Sequence, residues 1–214
     1  MNGVPPSPRR TLVVMVKVPV AGRVKTRLAR SIGTIPATSF YRDAIAGLSS
    51  GLAAPRRWTL LFAVAPGAEH ASRAIPVPLT ARIAQSSGDL GRRMQSVFDR
   101  CPPGPVIIIG SDILGITRSD IAHAFHCLEG GEAVIGPSAD GGYWLIGLKR
   151  RPRHLKPFAN VRWSTDEAMA GTLRNLAGNR VGLVTAKADV DDGVEWSRTA
   201  AIRGRRIVRA TPAS

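Results

Sequence analysis

Cysteine, aromatic residues and acidic residues are all scarce in this sequence. Cys101 and Cys127 are its only cysteines, too few for a disulfide framework. Aromatic residues make up 5% of the chain, and none is interleaved with a long basic run, as a stacking surface for single-stranded nucleic acid would require. Acidic residues number 15 against 30 basic ones, leaving a formal charge of +15. A field of that sign draws phosphates, nucleic acids or acidic membranes without choosing among them. The arginines are scattered in pairs, at Arg9–Arg10, Arg56–Arg57, Arg92–Arg93 and Arg150–Arg151, with a further set from Arg203 to Arg209. That distribution, with no recognition motif, ranks a nucleic-acid-binding module last among the readings. No apolar run approaches the roughly 20 residues of a membrane helix. Arg9–Arg10 followed by Thr11–Val16 imitates the start of a signal peptide, but Lys17 and Pro19 interrupt it and no small-residue cleavage site follows. A soluble, cytoplasmic protein with no membrane span is therefore expected. Repeats at solenoid periods are missing too.

Hydrophobic residues at 44% and charged residues at 21% describe a globular chain with enough length for one sizeable core. We expect a flexible N-terminal arm over 1–10, one domain over 11–204 and a basic tail over 205–214. Short apolar runs at Thr11–Val18, Trp58–Ala65, Val106–Ile109, Ala133–Ile135, Tyr143–Leu148 and Val181–Val184 predict strands. Helices are expected from Thr34, from a cap at Ser87 or Asp89, from Thr117 to Leu128 with Asp120 in a capping box, and from Ser164 to Leu176. A turn and helix are expected over Asp189–Ile202. Alternating strands and helices, with continuous apolar early strands, predict a three-layer α/β/α fold around a mostly parallel sheet. Ligands of such sheets bind beyond the carboxyl ends of the strands, and the polar motifs of this sequence fall there.

Four segments could carry chemistry. The loop after the first strand holds Lys17, Gly22, Arg23, Lys25, Thr26 and Arg27. Its charges and backbone N–H groups suit phosphate oxygens. It is neither a Walker loop, since Lys25-Thr26 does not follow Gly22 directly, nor a G-x-G-x-x-G fingerprint; a solvated basic loop is the plain alternative. Gly110-Ser111-Asp112 ends an apolar strand, where a carboxylate can meet a hard cation such as Mg²⁺. Asp189-Val190-Asp191-Asp192 offers a second carboxylate source. Each could equally be a cap or turn by itself. Asp140-Gly141-Gly142 permits close backbone approach and can accept hydrogen bonds from hydroxyls, and Tyr143 and Trp144 then enter a strand on opposite faces. Gly88-Asp89 and Arg92 lie near a helix N-terminus. His123, His126 and Cys127 have metal-ligand spacing on one helix, although ordinary packing accounts for them better.

Together, KVPVAGRVKTRLA, SGDLGRRM, VIIIGSD, AVIGPSADGGYWLIGL and DVDD, running from Lys17 to Asp192, resemble the nucleotide-diphospho-sugar transferases with a GT-A fold. The resembling branch is that of small bacterial arsenosugar-biosynthesis-type glycosyltransferases. The resemblance implies a glycosyltransferase that uses Mg²⁺ or Mn²⁺, a nucleotide-sugar donor and a small-molecule acceptor, with a homodimer left open. By position it implies Lys17, Gly22, Arg23, Lys25, Thr26 and Arg27, with Gly88, Asp89 and Arg92, at the nucleotide. Asp112, with Asp189 or Asp191, would hold the metal. Asp140, Gly141, Gly142, Tyr143, Trp163 and Ser164 would face the sugar or acceptor, and Asp112 and Asp140 would carry the catalysis, Asp140 as base. Two departures stand out: Leu114 replaces the proline of GSD-x-P, and Asp192-Gly193 follows Asp191 where the family has threonine and an acidic residue. The alternative on the same fold is a guanylyltransferase-like nucleotidyltransferase, which takes a nucleoside triphosphate and releases pyrophosphate.

Overall fold

The computed structural model describes residues 10–113, 115–150 and 155–187. Leu114, Asp189, Asp191, the expected arm except Arg10, the expected tail, and the expected turn and helix at 189–202 lie outside them.

The strands are β1 (Thr11–Lys17), β2 (Thr59–Ala65), β3 (Arg82–Ala84), β4 (Val106–Gly110), β5 (Ala133–Pro137), β6 (Tyr143–Leu148) and β7 (Val181–Leu183). They form one sheet in the order β3-β2-β1-β4-β6-β5-β7. Only β6 runs against the rest, pairing antiparallel with β4 and β5. Thr11 is in register with Thr59 on one side and Val106 on the other, so β1 and β4 form the sheet's centre. Period-two alternation splits their side chains between two cores. Leu12, Val14, Ile107 and Ile109 pack with residues of α2 (Thr34–Leu52) and α4 (Arg118–Gly130). Val13, Val106 and Ile108 pack with α3 (Leu90–Arg100) and with Leu173 of α5 (Ala168–Asn175). Burial on both faces is why these strands read as unbroken apolar runs. The three-layer, mostly parallel expectation holds, and Asp112 follows a central strand.

Two elements were not legible. Helix α1 (Thr26–Ile32) has seven residues and buries only Leu28, so it leaves no apolar period to detect. Strand β3 is three half-buried residues held by pairing to β2. Two boundaries also moved. Thr34 is the first residue of α2 rather than its cap, because Gly33, at φ 90°, both closes α1 and opens α2. Helix α5 begins at Ala168, not Ser164, since Ser164 takes φ 62° and Thr165 Oγ1 accepts from Glu167 N in a turn.

The expected caps at Asp89 and Thr117 are present. Asp89 Oδ1 accepts from Arg92 N at 2.7 Å. Thr117 and Asp120 form a reciprocal capping box at the start of α4. Burial pushes the Asp120 pKa up, but hydrogen bonds from Thr117 and the Lys187 ammonium 3.1 Å away outweigh it, and the net direction is downward. A depressed folded-state pKa contributes stability above the unfolded value and loses it as pH falls. Asp120→Asn is therefore expected to lower stability at pH 7 by about 1 kcal/mol. In thermal melts the gap from wild type should close as pH falls below about 4. A gap that persists unchanged at acid pH would show that the carboxylate's charge is not what the cap uses.

Candidate functional site

Two adjoining cavities open at the carboxyl edge of β1, β2 and β4. The larger, about 530 Å³, is lined by Lys17, Lys25, Thr26, Arg27, Tyr41, Gln85, Arg93, Asp112 and Ser164, among others. The smaller, about 310 Å³, is lined mainly by Val18, Val20, Ala65 and Pro66, with Lys17, Arg23, Glu69 and Arg93 around them. Lys17 and Arg93 belong to both.

The loop leaving β1 makes the basic wall. Val18 N donates to Ala65 O at 2.8 Å, holding the loop against the end of β2. Gly22, at φ 78°, allows the tight turn that Arg23 N closes on Val20 O at 3.0 Å. Lys25 takes a left-handed conformation, φ 47°, immediately before α1. That geometry turns its side chain inward: it is 6% exposed, and Nζ lies 3.6 Å from Asp112 Oδ1. The Asp112 side chain remains 52% exposed toward the opening.

A directed hydrogen-bond chain supports Asp112. Lys17 N donates to Tyr41 Oη at 2.9 Å. Tyr41 Oη and Ser111 Oγ are 3.0 Å apart, and Ser111 Oγ donates to Asp112 Oδ1 at 3.4 Å. Burial pushes the Tyr41 pKa up to about 12, so the phenol keeps its proton at neutral pH. With its oxygen accepting from Lys17, that proton points to Ser111, which passes its own to the carboxylate. Helix α2 thus ties the ends of β1 and β4 together beneath the cavity.

Beside the larger cavity, at the same edge of the sheet, lie the β5–β6 turn and the segment before α5, of which Ser164 lines the cavity. Asp140 Oδ1 accepts from Ser138 Oγ at 2.5 Å and from Gly142 N at 3.0 Å. The Ser138 hydroxyl outweighs the burial cost and, with a smaller contribution from the Gly142 N–H, holds the Asp140 carboxyl below the usual range. A carboxylate so stabilised is a weak proton acceptor. Gly141, at φ 80°, sits where a Cβ would lie 2.3 Å from Asp166 O, and its own carbonyl accepts from Met169 N at 3.1 Å. The turn is therefore seated directly on the segment that carries Ser164 to the larger cavity. Trp163 packs over Gly91 of α3 and meets Tyr143 edge-on at 6.5 Å.

The family described as "Uncharacterized protein conserved in bacteria (DUF2064)" matches residues 49–165, more than half of the chain. The chain belongs to this family. A crystal structure of a candidate nucleotide-diphospho-sugar transferase from Desulfovibrio desulfuricans G20 is 30% identical, with a TM-score of 0.77 over 86% of this chain and 82% of that one. This places the DUF2064 chain among the nucleotide-diphospho-sugar transferases in family and fold. Two more distant structures share the fold alone. The inositol-1-phosphate CTP transferase from T. maritima has a TM-score of 0.60 at 11% identity, covering 97% of this chain and 99% of that one. The manganese complex of Rv0371C from Mycobacterium tuberculosis H37Rv has 0.52 at 18%, covering 90% and 97%. No curated protein matches the chain.

In this DUF2064 protein, Lys17, Lys25, Thr26, Arg27, Asp112 and Ser164 converge on the larger cavity, and Arg23 on the smaller. Gly22 and Gly88 shape loops. Asp89 is a helix cap, and Arg92 belongs to that cap through its backbone. Asp140, Gly141, Gly142, Tyr143 and Trp163 build the neighbouring wall at the same edge without lining the cavities. Tyr143 is turned into the core, with its hydroxyl 3.4 Å from Thr172 Oγ1, and burial pushes its pKa up. Three polar residues that line the larger cavity are not among those expected from the sequence: Tyr41, Gln85 and Arg93. Tyr41 reads as an ordinary core position on α2, and Gln85 precedes the Gly88 motif without a pattern of its own. Arg93 was passed over for its neighbour, although one helical step separates their directions by about 100°. The His123, His126 and Cys127 set does not gather: His126 Nδ1 lies 3.0 Å from Glu129 Oε2, and Cys127 faces Gly182. Among the described residues no three His, Cys, Asp or Glu side chains form a metal-holding group, and no helix is long and apolar enough to cross a membrane.

Proposed function

We propose that this protein transfers a glycosyl group from a nucleotide-diphospho-sugar to a small-molecule acceptor, with the donor's diphosphate in the larger cavity. The observation that carries this reading is the convergence of Lys25, Arg27 and Arg93 with the carboxylate of Asp112 in one cavity at the carboxyl edge of the sheet. The described relative from Desulfovibrio desulfuricans, named as a candidate nucleotide-diphospho-sugar transferase, supports it.

A half-exposed carboxylate beside phosphate-binding cations fits a hard divalent cation, which takes one or two protein carboxylates and completes its shell with phosphate oxygens and water. Asp112 would hold Mg²⁺ or Mn²⁺, with Asp189 or Asp191 as the second carboxylate, and the ion would neutralise charge on the diphosphate. The chain's own groups do the rest. Lys17, Lys25, Arg27 and Arg93 stabilise the negative charge that grows on the diphosphate oxygens as the bond to the anomeric carbon breaks. Asp140, fixed by Ser138 and Gly142, orients an acceptor hydroxyl through its free lone pairs. Its lowered pKa suits that task better than the proton removal expected from the sequence.

A second reading has its own support. Among the described residues, four cationic side chains, Lys17, Lys25, Arg27 and Arg93, line the larger cavity against one carboxylate, that of Asp112. That excess complements a nucleoside triphosphate better than a less charged sugar diphosphate, and it favours nucleotidyl transfer with release of pyrophosphate. Calorimetry with nucleotide sugars and triphosphates in Mg²⁺ or Mn²⁺, paired with a pyrophosphate-release assay, separates the two. Saturable nucleotide-sugar binding without pyrophosphate release from any triphosphate supports glycosyl transfer. Lys25→Met and Arg27→Ala should each weaken the bound donor about tenfold or more, since a charge-assisted contact contributes roughly 1.5–3 kcal/mol. Methionine keeps the aliphatic stem that Lys25 buries. Unchanged affinity in both variants would show that the loop is only a solvated surface.

A further inference from the structure

Among the described residues, Arg93 is the one arginine that lines both cavities. It rises from the first turn of α3, and its described hydrogen-bond partner is neutral: Nε donates to Gln85 Oε1 at 2.7 Å. Gln85 is itself 5% exposed and fully engaged at its other end. Its Nε2 donates to Ala63 O of β2 at 2.6 Å and to Val16 O of β1 at 3.3 Å, and its backbone N to Val64 O at 2.8 Å. A buried amide anchored to two adjacent central strands cannot swing away. Its one remaining oxygen therefore fixes where the guanidinium lies. The bond uses Nε, the two terminal nitrogens of the fork have no described partner, and the residue lines both cavities. Burial lowers the Arg93 pKa, which marks a cation taken partly out of water without a described carboxylate to compensate it.

We infer that Arg93 is a ligand-binding residue, bridging the apolar smaller cavity and the basic larger one, and that Gln85 is the positioning residue that aims it. This rests on the nucleotide reading above. A ligand spanning both cavities places its apolar nucleoside end among Val18, Val20, Ala65 and Pro66 and its phosphates against Lys25 and Arg27. The group at the junction is the phosphate that esterifies the ribose, and Arg93 contacts that phosphate. Inorganic pyrophosphate has no nucleoside to seat in the apolar cavity and so no phosphate fixed at the junction, and it depends on Arg93 less.

The test is calorimetry with ADP, GDP, CDP and UDP in Mg²⁺, and with inorganic pyrophosphate, on wild type, Arg93→Met, Gln85→Ala and the double variant. Arg93→Met should weaken the best nucleoside diphosphate about tenfold or more and pyrophosphate distinctly less. Gln85→Ala should produce a loss approaching that of Arg93→Met, and the double variant should lose no more than Arg93→Met alone, since Gln85 acts through Arg93. A merely structural Gln85 would instead add its loss on top of the arginine's. Arg93→Lys keeps the charge but not the planar fork, so it should recover only part of the affinity; it decides the matter if Gln85→Ala fails to fold. Unchanged affinity in Arg93→Met, or additive losses in the double variant, overturns the inference while leaving the nucleotide reading intact. A wild-type protein that binds none of the four diphosphates nor pyrophosphate overturns both.

Discussion

Asp112→Asn is expected to abolish the Mg²⁺- or Mn²⁺-dependent part of nucleotide binding while leaving the protein folded. Asparagine keeps the size of the side chain and can still accept from Ser111 Oγ, so the chain through Tyr41 survives. What disappears is the negative charge, and a hard cation depends on that charge. Transfer activity should fall by at least about two orders of magnitude, the scale at which removal of one transition-state-stabilising group is felt. The cost to the metal-free fold should stay within about 1 kcal/mol, because the pairing with Lys25 involves a half-exposed carboxylate. Calorimetric titration with and without the metal reads the first effect and thermal melting the second. Asp120→Asn is the contrast: it should lower stability and spare ligand binding. If Asp112→Asn kept full metal-dependent affinity, the metal site would have to be sought elsewhere and the proposed chemistry would lose its centre.

Gly141→Ala should be among the most damaging single-methyl additions in the chain. At φ 80° an L-residue pays the left-handed penalty of roughly 1–2 kcal/mol. The new Cβ would also stand 2.3 Å from Asp166 O and 2.5 Å from Asp166 Cα, backbone atoms with no rotamer to change. Together these should destabilise by about 3 kcal/mol or more, a drop in Tm of roughly 6–12 °C. Gly22→Ala supplies the control, because it has nearly the same φ, 78°, with nothing within 4 Å of the added carbon. Its cost should be the conformational part alone. Equal melting shifts for the two variants would mean that the close approach to Asp166 does not matter. The Gly141 variant should also weaken ligand binding, since displacing Asp166 moves Ser164, two residues earlier, at the cavity wall.

The strands were legible because their physics is local. Val106–Ile109 is a run of apolar residues bounded by turn signals, and burial on both faces leaves no other pattern for it. The caps at Asp89 and Thr117 were legible for the same reason: donor and acceptor lie three residues apart. Helix α1 and strand β3 were not, because each is held by what it docks against rather than by periodicity. Helix α5 shows the limit of a good local signal. Ser164-Thr165-Asp166-Glu167 resembles a capped start, yet the chain spends those residues in a turn beneath Gly141.

The sequence by itself determined the order of six of the seven strands and of helices α2 to α5, the mostly parallel sheet, and the placement of a basic loop and Asp112 at carboxyl ends of strands. Those are consequences of short-range patterns and of the rule that polar motifs after apolar strands collect at one edge. Only the tertiary structure decided which side chains meet there. Tyr41 is 70 residues from Ser111, and Lys25 faces Asp112 across the gap between two strands. Arg93, not Arg92, points into the cavities, because the rotation of α3 is set by packing Met94, Val97 and Phe98 against the sheet. A helical step of one residue reverses a side chain's surroundings while leaving the composition of the motif unchanged, so no reading of the motif alone could have chosen between the two arginines.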